Sequence, residues 1–206
     1  MAYSFNGTNQ YLTTNNNLSF SKPITISCWA KLASNSGNPT LVSIQGANAY
    51  TDSIILFIRI DLTLALACAG GSIYQARQSV VAPTGVWFHA AGVASSLSSR
   101  TVYYNYSNSG TNTTSISTPS LSRVFIGADF GGGALEGYTN GSIAEVGIWN
   151  TTLTNPEILS LSKGISCRNI RPQNLSFYSP LIRNLSDIRQ AQNVSLTNNN
   201  TATPLS

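Results

Sequence analysis

Charge is what this sequence has least of. Only 9% of its 206 residues are Asp, Glu, Lys or Arg, against about a quarter in ordinary domains. The net charge is +4, and no run of Lys or Arg would track a phosphate backbone, so nucleic acid is not an expected partner. There is a single histidine, His89. With no Ser or Cys motif beside it, a nucleophilic triad is unsupported, and a hydrogen-bonded structural histidine is expected. Three cysteines form an odd set without metal-ligand spacing, which argues against a disulfide framework. Cys28 and Cys68 lie in apolar stretches and read as small buried hydrophobes. No apolar run reaches membrane length; the strongest, SIILFIRIDLTLALACA (53–69), is interrupted by Arg59 and Asp61 and reads as two strands and a turn. Met1 leads directly into AYSF, with neither a basic start nor an apolar stretch, so the expected chain is made in a cytoplasm and carries no secretory leader. On that expectation, the roughly ten Asn-x-Ser/Thr triplets, Asn6 and Asn105 among them, follow from composition and do not mark glycans.

What is present is a core and a neutral polar surface. Hydrophobic residues make up 42% of the chain, and Asn, Ser and Thr stand where charges usually do, a surface that packs against neighbours with little desolvation. Short β-type segments recur between Gly, Asn, Ser and Pro clusters, the pattern of an all-β antiparallel sandwich. In ITISCWAKL (24–32), Ile26, Cys28 and Ala30 share one face and Trp29 lies on the other, as in a central strand buried on both sides. One helix is expected near residues 155–163. Asn155 is read as its N-cap, Pro156 and Glu157 start it, and Gly164 closes it. Beyond it the composition shifts: residues 166–206 hold Arg168, Arg171, Arg183 and Arg189 against one acid, Asp187. They are read as an extension packing on the domain or on a partner chain.

Five stretches in order, SFNGTNQYL (4–12), ITISCWAKL (24–32), GVWFHAAGV (85–93), RVFIGA (123–128) and NGSIAEVGIWNTTLTNPEILSL (140–161), resemble the laminin-G-like, concanavalin-A-like jelly-roll family. The resemblance covers residues 1–165 and implies two antiparallel sheets packed face to face. The family includes lectins, calcium-dependent modules, glycoside hydrolases and structural domains, so fold alone leaves function open. The segment IRPQNLSFYSPLIRNLSD is similar to extensions of such proteins from tailed bacteriophages.

Carboxylates decide between these functions. Glycoside hydrolysis needs two acids about one bond, yet the closing strand offers Glu145 alone, with Ala144 and Gly147 where the family often has Asp and Arg; a structural Glu145 is expected. Asp129 and Glu136 bracket the Gly-rich stretch ADFGGGALEG and are the calcium candidates, otherwise solvated acids of a flexible loop. Tyr103, Tyr104, Tyr106 and Tyr138 are candidate sugar or interface aromatics, with Tyr104 and Tyr106 expected on one strand face, opposite Tyr103. The four C-terminal arginines are candidate partner-binding residues, or else pair locally with Asp187 or Glu157. These features, with the phage-type resemblance, imply a non-enzymatic structural protein of a bacteriophage virion surface, of capsid decoration or head-fibre type. Its expected partners are virion proteins such as the major capsid protein, or further copies of itself. The alternative is a lectin-like module that binds host-surface glycan. No cofactor other than calcium is expected.

Overall fold

Short apolar segments, some alternating as in Tyr3–Asn6 and some buried on both faces as in Thr40–Gln45 and Thr63–Gly70, form the strands. The computed structural model describes residues 2–14, 18–34, 37–47, 51–131, 133–181, 196–199 and 203–204. In the first half the strands are β1 (Tyr3–Asn6), β2 (Tyr11–Thr14), β3 (Ile24–Leu32), β4 (Thr40–Gln45), β5 (Asp52–Ile58), β6 (Thr63–Gly70), β7 (Ser72–Val81) and β8 (Phe88–Ser96). In the second half they are β9 (Ser99–Tyr104), β10 (Asn108–Asn112), β11 (Arg123–Ile126), β12 (Asp129–Gly131), β13 (Ala134–Glu136), β14 (Asn140–Trp149), β15 (Leu175–Ser179), β16 (Leu196–Asn199) and β17 (Thr203–Pro204). One sheet runs β10-β9-β8-β3-β14-β1-β17, with β15 also on β14; the other runs β16-β2-β11-β4-β5-β6-β7. All pairings are antiparallel. The protein is an antiparallel β-sandwich. Its main core lies between the sheets and includes Ile26, Cys28 and Ala30 from β3, Ile54, Leu56 and Ile58 from β5, and Phe88 from β8.

The outer face of the first sheet is covered. Helix α1 (Asn155–Ser162) docks there through Ile158 and Leu161, joined by Trp149, Leu153, Cys167, Leu175 and Tyr178 in a second apolar cluster. The N-cap is Thr154, one residue before the expected Asn155. Glu157 three residues on completes a capping box: its carboxylate accepts from the Thr154 backbone N–H at 2.7 Å, which fixes the frame of the helix. Among the described residues no helix is long and apolar enough to cross a membrane.

Glu145 owes its place to sheet architecture. One edge of β14 pairs β1 through residues 140–143 and β15 through residues 146–149, and Glu145 sits in the bulge where the partner changes, at φ +51°. Its carboxylate accepts the Tyr178 hydroxyl at 2.8 Å, its N–H donates to Pro180, and its carbonyl accepts the Cys167 thiol. His89 is likewise structural. It is fully buried, bonded through Nε2 to Ser27 Oγ at 2.8 Å and packed edge-on against Trp29, and burial pushes its pKa down to about 3, so it stays neutral. All three cysteines are free and buried.

Candidate functional site

Among the described residues no helix covers the outer face of the second sheet. On β5 the residues that avoid the core, Ile55 and Phe57, pack beside Ala65 and Ala67 of β6. The register sets Ile55 opposite Ala67, and Ala67 opposite Gln75 of β7. Small alanines on the middle strand leave this face hollow. The hollow is a groove of about 470 Å³, within the size range of small-ligand clefts. Ile55, Phe57, Ala67 and Ile73 line it with apolar surface, and Asn38, Thr40, Gln75, Asp129, Glu136 and Tyr138 supply polar groups.

Its wall is the β12–β13 hairpin, in a stretch whose glycines suggested a loose loop. The hairpin is pinned to β4: the Gln45 side-chain amide donates to the Phe130 carbonyl at 3.0 Å and accepts the Phe130 N–H at 2.8 Å. Thr40 Oγ1 donates to Asp129 Oδ1 at 2.5 Å. Asp129 is therefore not a solvated loop acid; it is 8% exposed. Burial pushes its pKa up to about 6, the Thr40 hydrogen bond opposes that rise, and the nearby Glu136 charge adds to it. Beside the hairpin, Tyr138 leans on Tyr11, their ring centres 6.3 Å apart, and Tyr11 meets Phe125 at 6.2 Å.

Of the sequence candidates, Asp129, Glu136 and Tyr138 converge on this groove. The others do not. Tyr104 is buried in the main core against Phe88. Tyr106 does not share its face: Asn105 and Tyr106 both take left-handed φ, +47° and +60°, and that turn carries Tyr106 back to stack on Tyr103 with ring planes 6° apart. The Tyr103 hydroxyl donates to Asn155 Oδ1, so this pair packs by the helix start. Arg168 is exposed on a short 3₁₀ turn, and Arg171 Nε donates to Glu157 Oε1 at 2.5 Å. Arg183 and Arg189, with Asp187, lie outside the described residues. Calcium, which takes six to eight oxygens, is not matched by what is here. Two carboxylates meet, one already holding a hydroxyl, and among the described residues no three of His, Cys, Asp and Glu gather as a metal-binding group.

The groove residues that the sequence reading missed include Asn38, Thr40, Ile55, Phe57, Ala67 and Gln75. The available signal was the small-residue alternation Ala65, Ala67 and Ala69 within TLALACAG, which marks a strand face with nothing large on it.

Known structures share this sandwich. A heptameric SAP-like pentraxin from Limulus polyphemus aligns over 81% of this chain and 83% of its own, with a TM-score of 0.67 and 20% identity. Domain 4 of a GH43 extracellular arabinanase from Geobacillus stearothermophilus, solved with arabinotriose, aligns over 78% and 76%, with a TM-score of 0.64 and 24% identity. A CBM40 of a Ruminococcus gnavus IT-sialidase, bound to α2,3 sialyllactose, aligns over 78% and 95%, with a TM-score of 0.62 and 15% identity. No curated protein sequence matches the chain. The family model for the concanavalin A-like lectin/glucanases superfamily matches residues 6–159, which take in most strands of both sheets and the groove between β4 and β7, and the chain belongs to that superfamily.

Proposed function

We propose that this protein is a non-catalytic carbohydrate-binding protein whose groove across β4–β7 holds the sugar. The observation that carries the reading is the make-up of the groove: an apolar floor bordered by side-chain amides, carboxylates and the Tyr138 ring. A sugar presents C–H faces and hydroxyl edges. Ile55, Phe57 and Ala67 suit the first; Asn38, Gln75 and the acids suit the second. The arabinotriose and sialyllactose complexes of fold neighbours support this use of the sandwich. Both acids stand on one hairpin, and Gln75 lies on β7, three strand spacings or about 14 Å from β4. That wall carries an amide, so the groove is built to hold a glycosidic bond and not to place acids on both sides of it. A glycan array followed by calorimetry tests the reading. Tyr138→Ala and Gln75→Ala are each expected to weaken the best hit about tenfold. An array with no hits rejects carbohydrate binding, and release of reducing ends rejects the non-catalytic part.

A place on a bacteriophage surface is the second reading. It is favoured by the phage-type resemblance of residues 166–206 and by the low-charge Asn/Ser/Thr surface. A capsid decoration or head-fibre protein with a glycan groove would gain avidity from its copy number. Arginine contacts to a capsid partner carry less of this reading, since Arg171 is engaged by Glu157 of its own chain. Mass spectrometry of purified particles is expected to find the chain, and its absence would overturn this placement.

A further inference from the structure

Among the described residues, the acids of the groove meet no positive charge. Asp129 and Glu136 are register partners on β12 and β13, so their side chains leave the same face of the hairpin. Two glycines make room for them. A Cβ on Gly137 would stand 2.5 Å from Asp129 Oδ1, and one on Gly131 would stand 2.0 Å from Glu136 Oε1. Like charges set directly opposite across a strand pair are unfavourable, yet among the described residues neither acid forms an ion pair. The described residues lining the groove include no Lys, Arg or His. Arg59 reaches Gln75 Oε1 at 2.5 Å, but it also bonds Asp61, as does Arg77.

We infer that the groove selects amino sugars, glycan chains whose units carry a free ammonium group, over neutral and acidic ones. This rests on reading the groove as a glycan site. An ammonium offers three N–H donors to carboxylates that lack a counter-charge. A uronate or sialate would bring a third negative charge beside them. A lysine-bearing peptide would supply the ammonium but not the ring of hydroxyls that Asn38 and Gln75 match. The groups facing Asp129 are Thr40 from β4 and Glu136 from β13, with Tyr138 beyond them. Of these, Glu136 bears the only charge, and it favours the protonated form of Asp129. With its pKa near 6, Asp129 is ionised at pH 7 and mostly protonated at pH 5, so the preference belongs to the neutral side of that window.

Calorimetry on the full chain, with glucosamine tetramer, N-acetylglucosamine tetramer and cellotetraose at pH 7 and pH 5, tests the inference. The glucosamine tetramer is expected to bind at least about tenfold more tightly than the other two at pH 7. That preference is expected to collapse at pH 5 and in both Asp129→Asn and Glu136→Gln, each confirmed as folded by thermal melting. Equal affinity for the three tetramers overturns it, as does a preference that survives both substitutions. So does tetralysine competing as well as the amino sugar, or added calcium that erases the preference by raising affinity for the neutral chains. Binding of neutral tetramers without preference sinks the amino-sugar selectivity alone; no binding of any tetramer or array glycan sinks the groove reading beneath it.

Discussion

Trp149→Ala is expected to destabilise the protein by about 3–5 kcal/mol in urea unfolding, the range for removing a large buried aromatic. Trp149 is fully buried on the outer side of the first sheet, within the cluster of Leu153, Ile158, Leu161, Cys167 and Leu175. Its indole N–H donates to the Ile170 carbonyl at 2.7 Å, tying β14 to the chain that follows the helix. Gly147 shows how closely the ring lies: a Cβ there would come within 2.6 Å of the indole and 2.8 Å of Cys167 Sγ. The glycine that breaks the family pattern is thus the space the tryptophan occupies. Alanine leaves a cavity that α1 and β15 cannot close together, and it strands the Ile170 carbonyl. Against a total stability of about 5–15 kcal/mol, that loss is large. Trp149→Phe, which keeps most of the packing and loses the hydrogen bond, is expected to cost clearly less. Limited proteolysis of Trp149→Ala should cut first near Ile165, which is exposed beside this cluster. A loss below about 1 kcal/mol would show that the outer cluster does not hold the helix.

The contrast between this cluster and the groove shows what the sequence made legible. The closing strand, the helix and the central position of β3 were readable because their signals are local: apolar and small residues on both strand faces, Pro156 with Glu157, and Gly164. The helix frame was legible too, since Thr154 with Glu157 forms the capping box, whereas Asn155 has no acid three residues on. Tyr106 was misplaced because strand alternation was carried through Asn105, where the backbone turns left-handed. The groove was least legible. Ile55, Ala67 and Gln75 meet only through register across three strands, and no local pattern encodes which strands pair. The hairpin was hidden by its glycines, which read as flexibility. Two of them serve as clearance, Gly131 for the Glu136 carboxylate and, just past the hairpin, Gly137 for that of Asp129. Asp129 and Glu136 were legible as the two acids that bracket the Gly-rich stretch; that they stand directly opposite one another follows only from the register of β12 and β13.

A change of opposite sign is expected at Asp129: Asp129→Asn should raise stability at neutral pH by about 2–3 kcal/mol, at 1.36 kcal/mol per pH unit of displacement. The folded protein holds this carboxyl near pKa 6, above its ordinary 3.8, chiefly because burial disfavours the charged form and also because Glu136 repels it. A raised acid pKa means that the folded state binds the proton more tightly than the unfolded chain does. Its contribution to stability is therefore fully present below the unfolded value and disappears as pH rises through about 6. Above that window the ionised carboxylate is a cost carried by the fold. Asparagine removes the charge and keeps an oxygen for the Thr40 hydroxyl, so the hairpin should stay pinned to β4. Urea unfolding of both proteins at pH 7.5 and pH 4 checks this. The variant should be clearly more stable at the higher pH, and the two curves should approach one another at the lower. Equal stability at pH 7.5 would show that the Asp129 charge is already compensated in the free protein. Glu136→Gln should move stability the same way by less, since it relieves the repulsion and leaves the burial. That cost to the fold, carried on the wall of an open groove, is one of the observations on which the proposed amino-sugar selectivity rests.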